Sequence, residues 1–158
     1  MAGEIGPEPV NAGWVALQNR LAAAFVTFLA VASRLDPAAR ERAGVCGVWS
    51  PKDMVAHLIG WDFEAARRLR AFVAGPTVDI TYDLDAFNAG SVVARQYLSW
   101  EQILAELQAA RQTLQEAIAA VTDDDVAREP RIAAWVAGRS DDYEEHTAQL
   151  RQWEYENV

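Results

Sequence analysis

The stretch GVWSPKDMVAHLIGWD, residues 47–62, contains the clearest helix start in the chain and one of its two histidines. Ser50, Pro51 and Asp53 match an N-cap serine, a proline at the first helical position and an acidic side chain three residues after the cap. This pattern predicts a helix over residues 51–73. A start fixed so firmly also fixes the depth at which His57 enters the fold.

The rest of the chain carries further helical patterns, in which apolar residues recur at spacings of three and four. Ser99 with Gln102 repeats the capping pattern before another long apolar stripe. The residues at 77–86 alternate weakly, but no partner strand is available to them. Long helices are predicted over residues 14–35, 51–73, 100–121 and 140–155, with shorter helical pieces at 37–44, near 85–98 and at 132–136. Ser140 either restarts the last helix or continues it from the piece before it. The sequence therefore predicts an all-α protein built as a helical bundle.

Composition limits the class of protein further. A length of 158 residues suits a single domain over 1–158, in which the Gly/Pro/Glu-rich residues 1–10 are expected to be flexible. The net charge of −9 and the pI near 4.6 argue against a nucleic-acid partner. One cysteine, no signal-peptide pattern and no run of about 20 apolar residues predict a cytoplasmic protein with no membrane partner.

The two histidines and one aspartate form the most informative constellation. His57 falls on the flank of the apolar stripe of its helix, whereas Asp142 and His146 share one face of the last helix with Leu150 and Trp153. A carboxylate on such a face needs a partner, because burying it unpaired is expensive. If the two helices are neighbours, the three side chains converge into a ligand set for Zn²⁺ or another divalent transition metal. Three protein ligands leave coordination positions open, as catalytic sites do.

A plainer interpretation of the same residues stays open. His57 could bond to a carboxylate without any metal, and Asp142 could be a first-turn acid favoured by the helix dipole.

Five more side chains are candidates for a pocket beside this cluster. Trp61 and Trp135 could line the pocket or belong to the core. Asn88 could face the cavity or cap a helix, and Arg95 could face it or form a surface ion pair. Tyr143 could donate a hydrogen bond to substrate or to a ligand, or lie at the rim.

Three segments resemble a known family. The first is GVCGVWSPKDMVAHLIGWD (44–62), which is similar to the second-helix signature W-S-x-K-D-x-x-x-H of the DinB/YfiT-like superfamily. Residues 87–114 resemble its third-helix region. WVAGRSDDYEEHTAQL (135–150) resembles its last-helix motif, usually close to W-x-x-G-x-T-x-H-Y-x-x-H.

The resemblance implies a four-helix up-down-down-up bundle with short extra helices. It also implies a bound divalent metal, for which Zn or Ni is favoured over Mn or Fe. The implied ligands are His57, Asp142 and His146, where Asp142 replaces the histidine of many members. The mycothiol-dependent maleylpyruvate isomerase branch is similar in pairing two histidines with an acidic ligand, and another branch includes colibactin self-resistance hydrolases.

By this resemblance the chain is expected to be a homodimeric hydrolase, or a transferase or isomerase that uses a low-molecular-weight thiol, with a small electrophilic substrate. The alternative is a helical bundle that binds or sequesters a small molecule without catalysis.

Overall fold

The computed structural model describes residues 12–157, and within them the chain is helical with no β-strand. The predicted all-α class is confirmed for this part of the chain, and the expectation for residues 1–10 lies outside it. The four long helices are α1 (Ala12–Arg34), α2 (Pro51–Ala74), α4 (Trp100–Ala119) and α6 (Arg131–Glu156). The shorter elements are α3 (Leu84–Arg95), α5 (Asp123–Arg128) and a 3-10 helix (Pro37–Ala39).

Two of the helix starts follow the capping patterns read from the sequence. The Ser50 hydroxyl accepts the backbone N–H of Asp53 at 3.1 Å, and the Asp53 carboxylate accepts the backbone N–H of Ser50 at 3.0 Å. Ser99 and Gln102 form the same reciprocal pair at the start of α4. These caps satisfy backbone donors that the first helical turn leaves without partners, so the helices begin where the sequence predicts.

Three boundaries are defined only by the structure. The last helix is continuous from Arg131, because Ser140 does not cap a new helix: it is buried, and its hydroxyl donates to the carbonyl of Val136 at 3.2 Å. Residues 123–128 form a short additional helix, α5, which the sequence analysis does not predict, and Thr122 and Asp125 make a third capping box at its start. The piece predicted at 37–44 shrinks to the single 3-10 turn.

The helices pack in pairs around one core. α1 lies mainly against α6, and α2 lies mainly against α4 while also contacting α3 and α6. The largest side chains buried completely include Phe28 of α1, Phe72 of α2, Leu107 of α4 and Tyr143 of α6. The contact between α2 and α6 matters most for function, because it places the histidine of one helix against the acid and histidine of the other.

Among the described residues, α1 is the one helix long and apolar enough to cross a membrane. Its buried positions, including Leu21, Phe28 and Val31, belong to the core shared with α6. A core helix of a soluble protein has the same composition, so this helix does not by itself indicate a membrane span.

Candidate metal centre

Three side chains from α2 and α6 meet at the contact between these helices. His57 Nε2 lies 3.2 Å from Asp142 Oδ2, and His146 Nε2 lies 3.2 Å from Asp142 Oδ1. One ligand atom from each of the three residues lies within 4.8 Å of the others. Both imidazoles are buried, whereas the Asp142 side chain keeps 22% of its surface exposed. The cluster therefore lies at the edge of the core, with its acid partly open to solvent.

Hydrogen bonds on the far side of the His57 ring fix its tautomer. Trp61 Nε1 donates to Asn88 Oδ1 at 2.8 Å, and because an indole N–H can only donate, the oxygen of Asn88 must face it. The same oxygen lies 3.0 Å from His57 Nδ1, so Nδ1 carries the proton and donates. In the neutral ring the Nε2 lone pair then points at Asp142.

His146 is arranged in the same way. Its Nδ1 lies 2.6 Å from Gln149 Oε1, an acceptor, which again leaves the Nε2 lone pair facing Asp142. Two lone pairs and a carboxylate directed at one point repel each other unless a cation lies between them or the rings are protonated. This donor set, two imidazoles and one carboxylate with each Nδ1 held by an acceptor, fits a divalent transition metal.

A buried ionic network holds Asp142 from the other side. Arg139 donates through NH1 to Asp142 Oδ2 at 2.6 Å and through Nε to Asp62 Oδ1 at 2.8 Å. Tyr143 donates its hydroxyl to the other oxygen of Asp62 at 2.5 Å. Asp62 and Tyr143 are completely buried and Arg139 is nearly so. With every carboxylate in it paired, the network orients Asp142 and leaves Oδ1 as its less occupied oxygen.

The charges in this network shift the pKa values of its members. Burial alone raises the pKa of Asp142. The hydrogen bonds that His146 and His57 donate through Nε2 when their rings are protonated, together with the charge of Arg139, outweigh burial and hold that pKa well below its usual range. Burial likewise lowers the pKa of His146, yet its bonds to Asp142 and Gln149 raise it overall. Burial raises the pKa of Tyr143 well above its ordinary value, so the phenol stays protonated and donates to Asp62. Asp142 is therefore an anionic ligand over the whole physiological range.

A glycine allows α3 to approach α2 closely enough to deliver Asn88. A Cβ added at Gly60 would overlap Ser91 Oγ and lie 2.9 Å from Ser91 Cβ. Ser91 is buried, and its hydroxyl donates to the carbonyl of Phe87 within α3. No larger residue fits at position 60 without moving α3, so Gly60 sets the distance between His57 and the amide that orients it.

Aromatic side chains continue from the cluster toward the surface. We call this group the aromatic cluster; its members are Trp61, Tyr82, Phe87 and Trp135. The ring centroids of Trp61 and Phe87 lie 4.2 Å apart, and those of Tyr82 and Trp135 lie 6.0 Å apart. All four are half-buried. A recess of about 280 Å³ beside Trp135 also includes Arg139, which links this surface to Asp142. Trp49 lies on His57 itself, at 4.9 Å between ring centroids.

The structure thus places the sequence-predicted site residues in two groups. His57, Asp142 and His146 come together, with Asn88, Trp61 and Trp135 near them. Tyr143 lies in the core, not at the rim, because its ring packs on Phe28 of α1. Arg95 does not reach the cluster: its guanidinium binds Glu106 Oε1 at 2.9 Å and the carbonyl of Ser91 at 3.1 Å.

Sequence reasoning missed several residues that support the cluster. Arg139 lies three positions before Asp142 on α6, a spacing that places their side chains together and could have revealed it. Gln149 stands at the same spacing after His146. Asp62 and Tyr82 carried no local signal, since their partners are distant in the chain.

Together, the fold and the cluster define an all-helical protein with a buried site of two histidines and one carboxylate suited to a divalent metal. The chain belongs to the DinB superfamily, whose family model matches residues 20–149. No curated protein sequence matches it significantly.

Among solved structures, the chain is similar to the crystal structure of an uncharacterised protein from Escherichia coli UTI89. The TM-score is 0.75 at 20% identity, and the alignment covers 89% of this chain and 92% of the other. The similarity concerns the fold alone.

Proposed function

We propose that this chain is a divalent-metal-dependent enzyme that acts on a small electrophilic compound, either by hydrolysis or by transfer or isomerisation with a low-molecular-weight thiol. The observation that carries the proposal is the pair of Nε2 lone pairs directed at one carboxylate, each fixed by an acceptor on Nδ1. A metal bound there would supply Lewis acidity that lowers the pKa of a water or a thiol at neutral pH.

The chain's own residues have distinct parts in this proposal. His57, Asp142 and His146 hold the ion, while Asn88 and Gln149 fix the imidazole tautomers. Arg139 keeps Asp142 anionic and oriented. The aromatic cluster would exclude water and bind the apolar part of the substrate, with Trp61 and Trp135 as its walls.

The proposal extends to the features that the resemblance implies. The chain would act as one domain over residues 1–158, with its four long helices in the up-down-down-up order. It would be a cytoplasmic homodimer with Zn or Ni, or else Mn or Fe, in the site, and with neither nucleic acid nor membrane as a partner.

Metal binding is the first test. Protein stripped with a chelator is titrated calorimetrically with Zn²⁺, Ni²⁺ and Mn²⁺, beside His57→Ala and His146→Ala variants. Glu145→Ala is the matched control, because Glu145 is an exposed acid on the same helix. We expect one ion per chain in the parent and the control, and at least a hundredfold weaker binding in both histidine variants. Absence of binding in the parent, or unchanged binding in His57→Ala, would overturn the metal site.

Activity is the second test. The metal-loaded protein is assayed for hydrolysis of an activated ester, and for substitution of the chloride of 1-chloro-2,4-dinitrobenzene by the thiol of cysteine. Turnover that His146→Ala abolishes and Glu145→Ala retains supports the enzyme and shows which reaction class applies.

The aromatic cluster favours one alternative function, a bundle that binds a small apolar compound without catalysis. Stoichiometric metal and ligand binding with no turnover in either assay would favour this binding protein over the enzyme.

A further inference from the structure

A cleft lined by residues of α1 and α4 lies apart from the metal centre. Its volume is about 520 Å³, and its walls are Phe25, Gln108, Arg111, Gln112, Gln115, Glu116 and Ala119. A neighbouring recess of about 250 Å³ shares Arg111, Gln115 and Ala119 with it. Arg111 is therefore part of the wall of both spaces.

Arg111 is the unusual member of this lining. Its side chain is buried, with 8% of the residue exposed, yet it makes no hydrogen bond or ion pair with any residue in the range 12–157. Its NH1 atom is fully buried without an acceptor. The ring of Phe25, with its centroid 5.7 Å from the guanidinium carbon, is a poor substitute for an anion. Burying a guanidinium without acceptors is costly, so a protein rarely keeps one without a use for it.

Apart from Arg68, the other half-buried or buried arginines among residues 12–157 are paired with carboxylates. Arg68 is buried, donates through Nη2 to the carbonyl of Val78 at 3.1 Å and has an Nε without an acceptor. Arg139 binds Asp62 and Asp142. Arg95 binds Glu106, and Arg131 binds Glu129. The cleft does contain a carboxylate, Glu116, but it is exposed and accepts from Gln112 Nε2 at 3.3 Å instead of pairing with Arg111. The anion that Arg111 lacks is thus not supplied by the cleft itself.

We infer that Arg111 anchors a second small-molecule site, which binds the carboxylate of a small organic acid with an aromatic or apolar body. A guanidinium presents a planar fork of N–H groups that matches a carboxylate. The amide groups of Gln108, Gln112 and Gln115 add neutral donors around it, and Phe25 offers an apolar surface for the body of the ligand. A single buried positive charge suits a monoanion better than a dianion such as phosphate.

Benzoate is the probe, and benzamide is its neutral analogue of the same shape. Both are titrated by calorimetry and ligand-observed NMR into the full chain and into Arg111→Met. Arg70→Met is the matched control, because Arg70 is an exposed arginine on α2 outside the cleft. We expect benzoate to bind at least tenfold more tightly than benzamide, Arg111→Met to lose that preference, and Arg70→Met to keep it.

A second variant keeps the test decisive if Arg111→Met does not fold. Gln115→Glu places a carboxylate one turn along α4 from Arg111, close enough to pair with it. We expect this variant to raise the melting temperature and to weaken benzoate binding at least tenfold. Equal binding of benzoate and benzamide by the parent chain, or full benzoate affinity in either cleft variant, would overturn the site. These outcomes are independent of metal content.

Discussion

Two of the buried arginines among the described residues, Arg139 and Arg111, are in opposite situations, and they distinguish the metal centre from the cleft. Arg139 on α6 donates to two carboxylates and lies within 3.4 Å of the carbonyl of Leu58. Arg111 on α4 has no acceptor within residues 12–157. Burial lowers the pKa of Arg111, and the charge of Asp62 offsets this only in part, whereas Asp62 and Asp142 outweigh the same effect at Arg139 and raise its pKa. The charge of Arg139 is therefore paired within the chain, whereas the charge of Arg111 is the one that we infer an external anion pairs.

The largest predicted effect separates the two arginines by stability. Arg139→Met leaves Asp62 and Asp142 without their cation, so we expect the free energy of unfolding to fall by about 3–5 kcal/mol. Arg111→Met removes an unpaired buried charge, so we expect it to be neutral or stabilising. Urea unfolding monitored by circular dichroism measures both, with Arg70→Met as the surface reference. Equal destabilisation by the two substitutions would contradict the conclusion that Arg139 is paired and Arg111 is not.

Gly60→Ala is expected to disturb the metal centre and to leave the cleft around Arg111 unchanged. The added methyl group overlaps Ser91 and pushes α3 away from α2. We expect a loss of about 1–3 kcal/mol in stability, typical of overpacking, together with weaker metal binding. Ser91→Gly in the same chain should restore both.

Gly90→Ala is the control for this change. Gly90 lies on α3 with open space around its missing Cβ, so alanine there should stabilise the helix by about 0.5–1 kcal/mol. A gain in stability from Gly60→Ala as large as that from Gly90→Ala would mean that helix propensity, and not contact with Ser91, governs position 60.

Asn88→Ala is expected to change metal affinity more than stability. It removes the oxygen that accepts from His57 Nδ1 and Trp61 Nε1, and loss of such outer partners typically weakens metal binding about 10–100-fold. Asn88→Asp keeps an acceptor and should keep most of the affinity. Calorimetric titration with Zn²⁺ measures both, and benzoate binding at the cleft should be unchanged. If Asn88→Asp lost as much metal affinity as Asn88→Ala, the proposed role of this oxygen as the acceptor for His57 Nδ1 would be contradicted.

The smallest expected effect concerns the helix caps. Ser50→Ala and Ser99→Ala each remove an N-cap hydroxyl, and each should lower the free energy of unfolding by about 1 kcal/mol. Because Ser50 caps the helix that carries His57 and Ser99 does not, only Ser50→Ala should also weaken metal binding. Thermal unfolding with and without Zn²⁺ tests this difference.

The elements that the sequence predicts well are those governed by neighbours within one helical turn. The caps at Ser50 and Ser99 join residues three positions apart, so a local sequence motif is sufficient to predict them. The extra capping box at Thr122 follows the same rule, so the same pattern over three residues could have revealed α5. The continuity of α6 through Gly138 was not predictable locally, because it depends on burial of Ser140 in the core.

The residues of the candidate site and of the cleft also differ in whether their contacts are local in the sequence. The shared face of Asp142 and His146 follows from their spacing, and only the neighbouring positions of α2 and α6 had to be assumed. Asp62 and Arg111 are different, because their importance depends on partners that are present or absent across the fold. No helical periodicity indicates whether a buried charge will be paired, so Asp62 and Arg111 emerged only with the structure.

The separation of the metal ligands along the chain has a consequence for folding kinetics. His57 and Asp142 are 85 residues apart, so they meet only after α2 and α6 have docked, whereas the caps form within single turns. We expect a bound ion to contribute late, beyond the transition state for folding. It should then slow unfolding without accelerating refolding, and stopped-flow measurements with and without Zn²⁺ would show this as a shift in only one arm of the chevron plot.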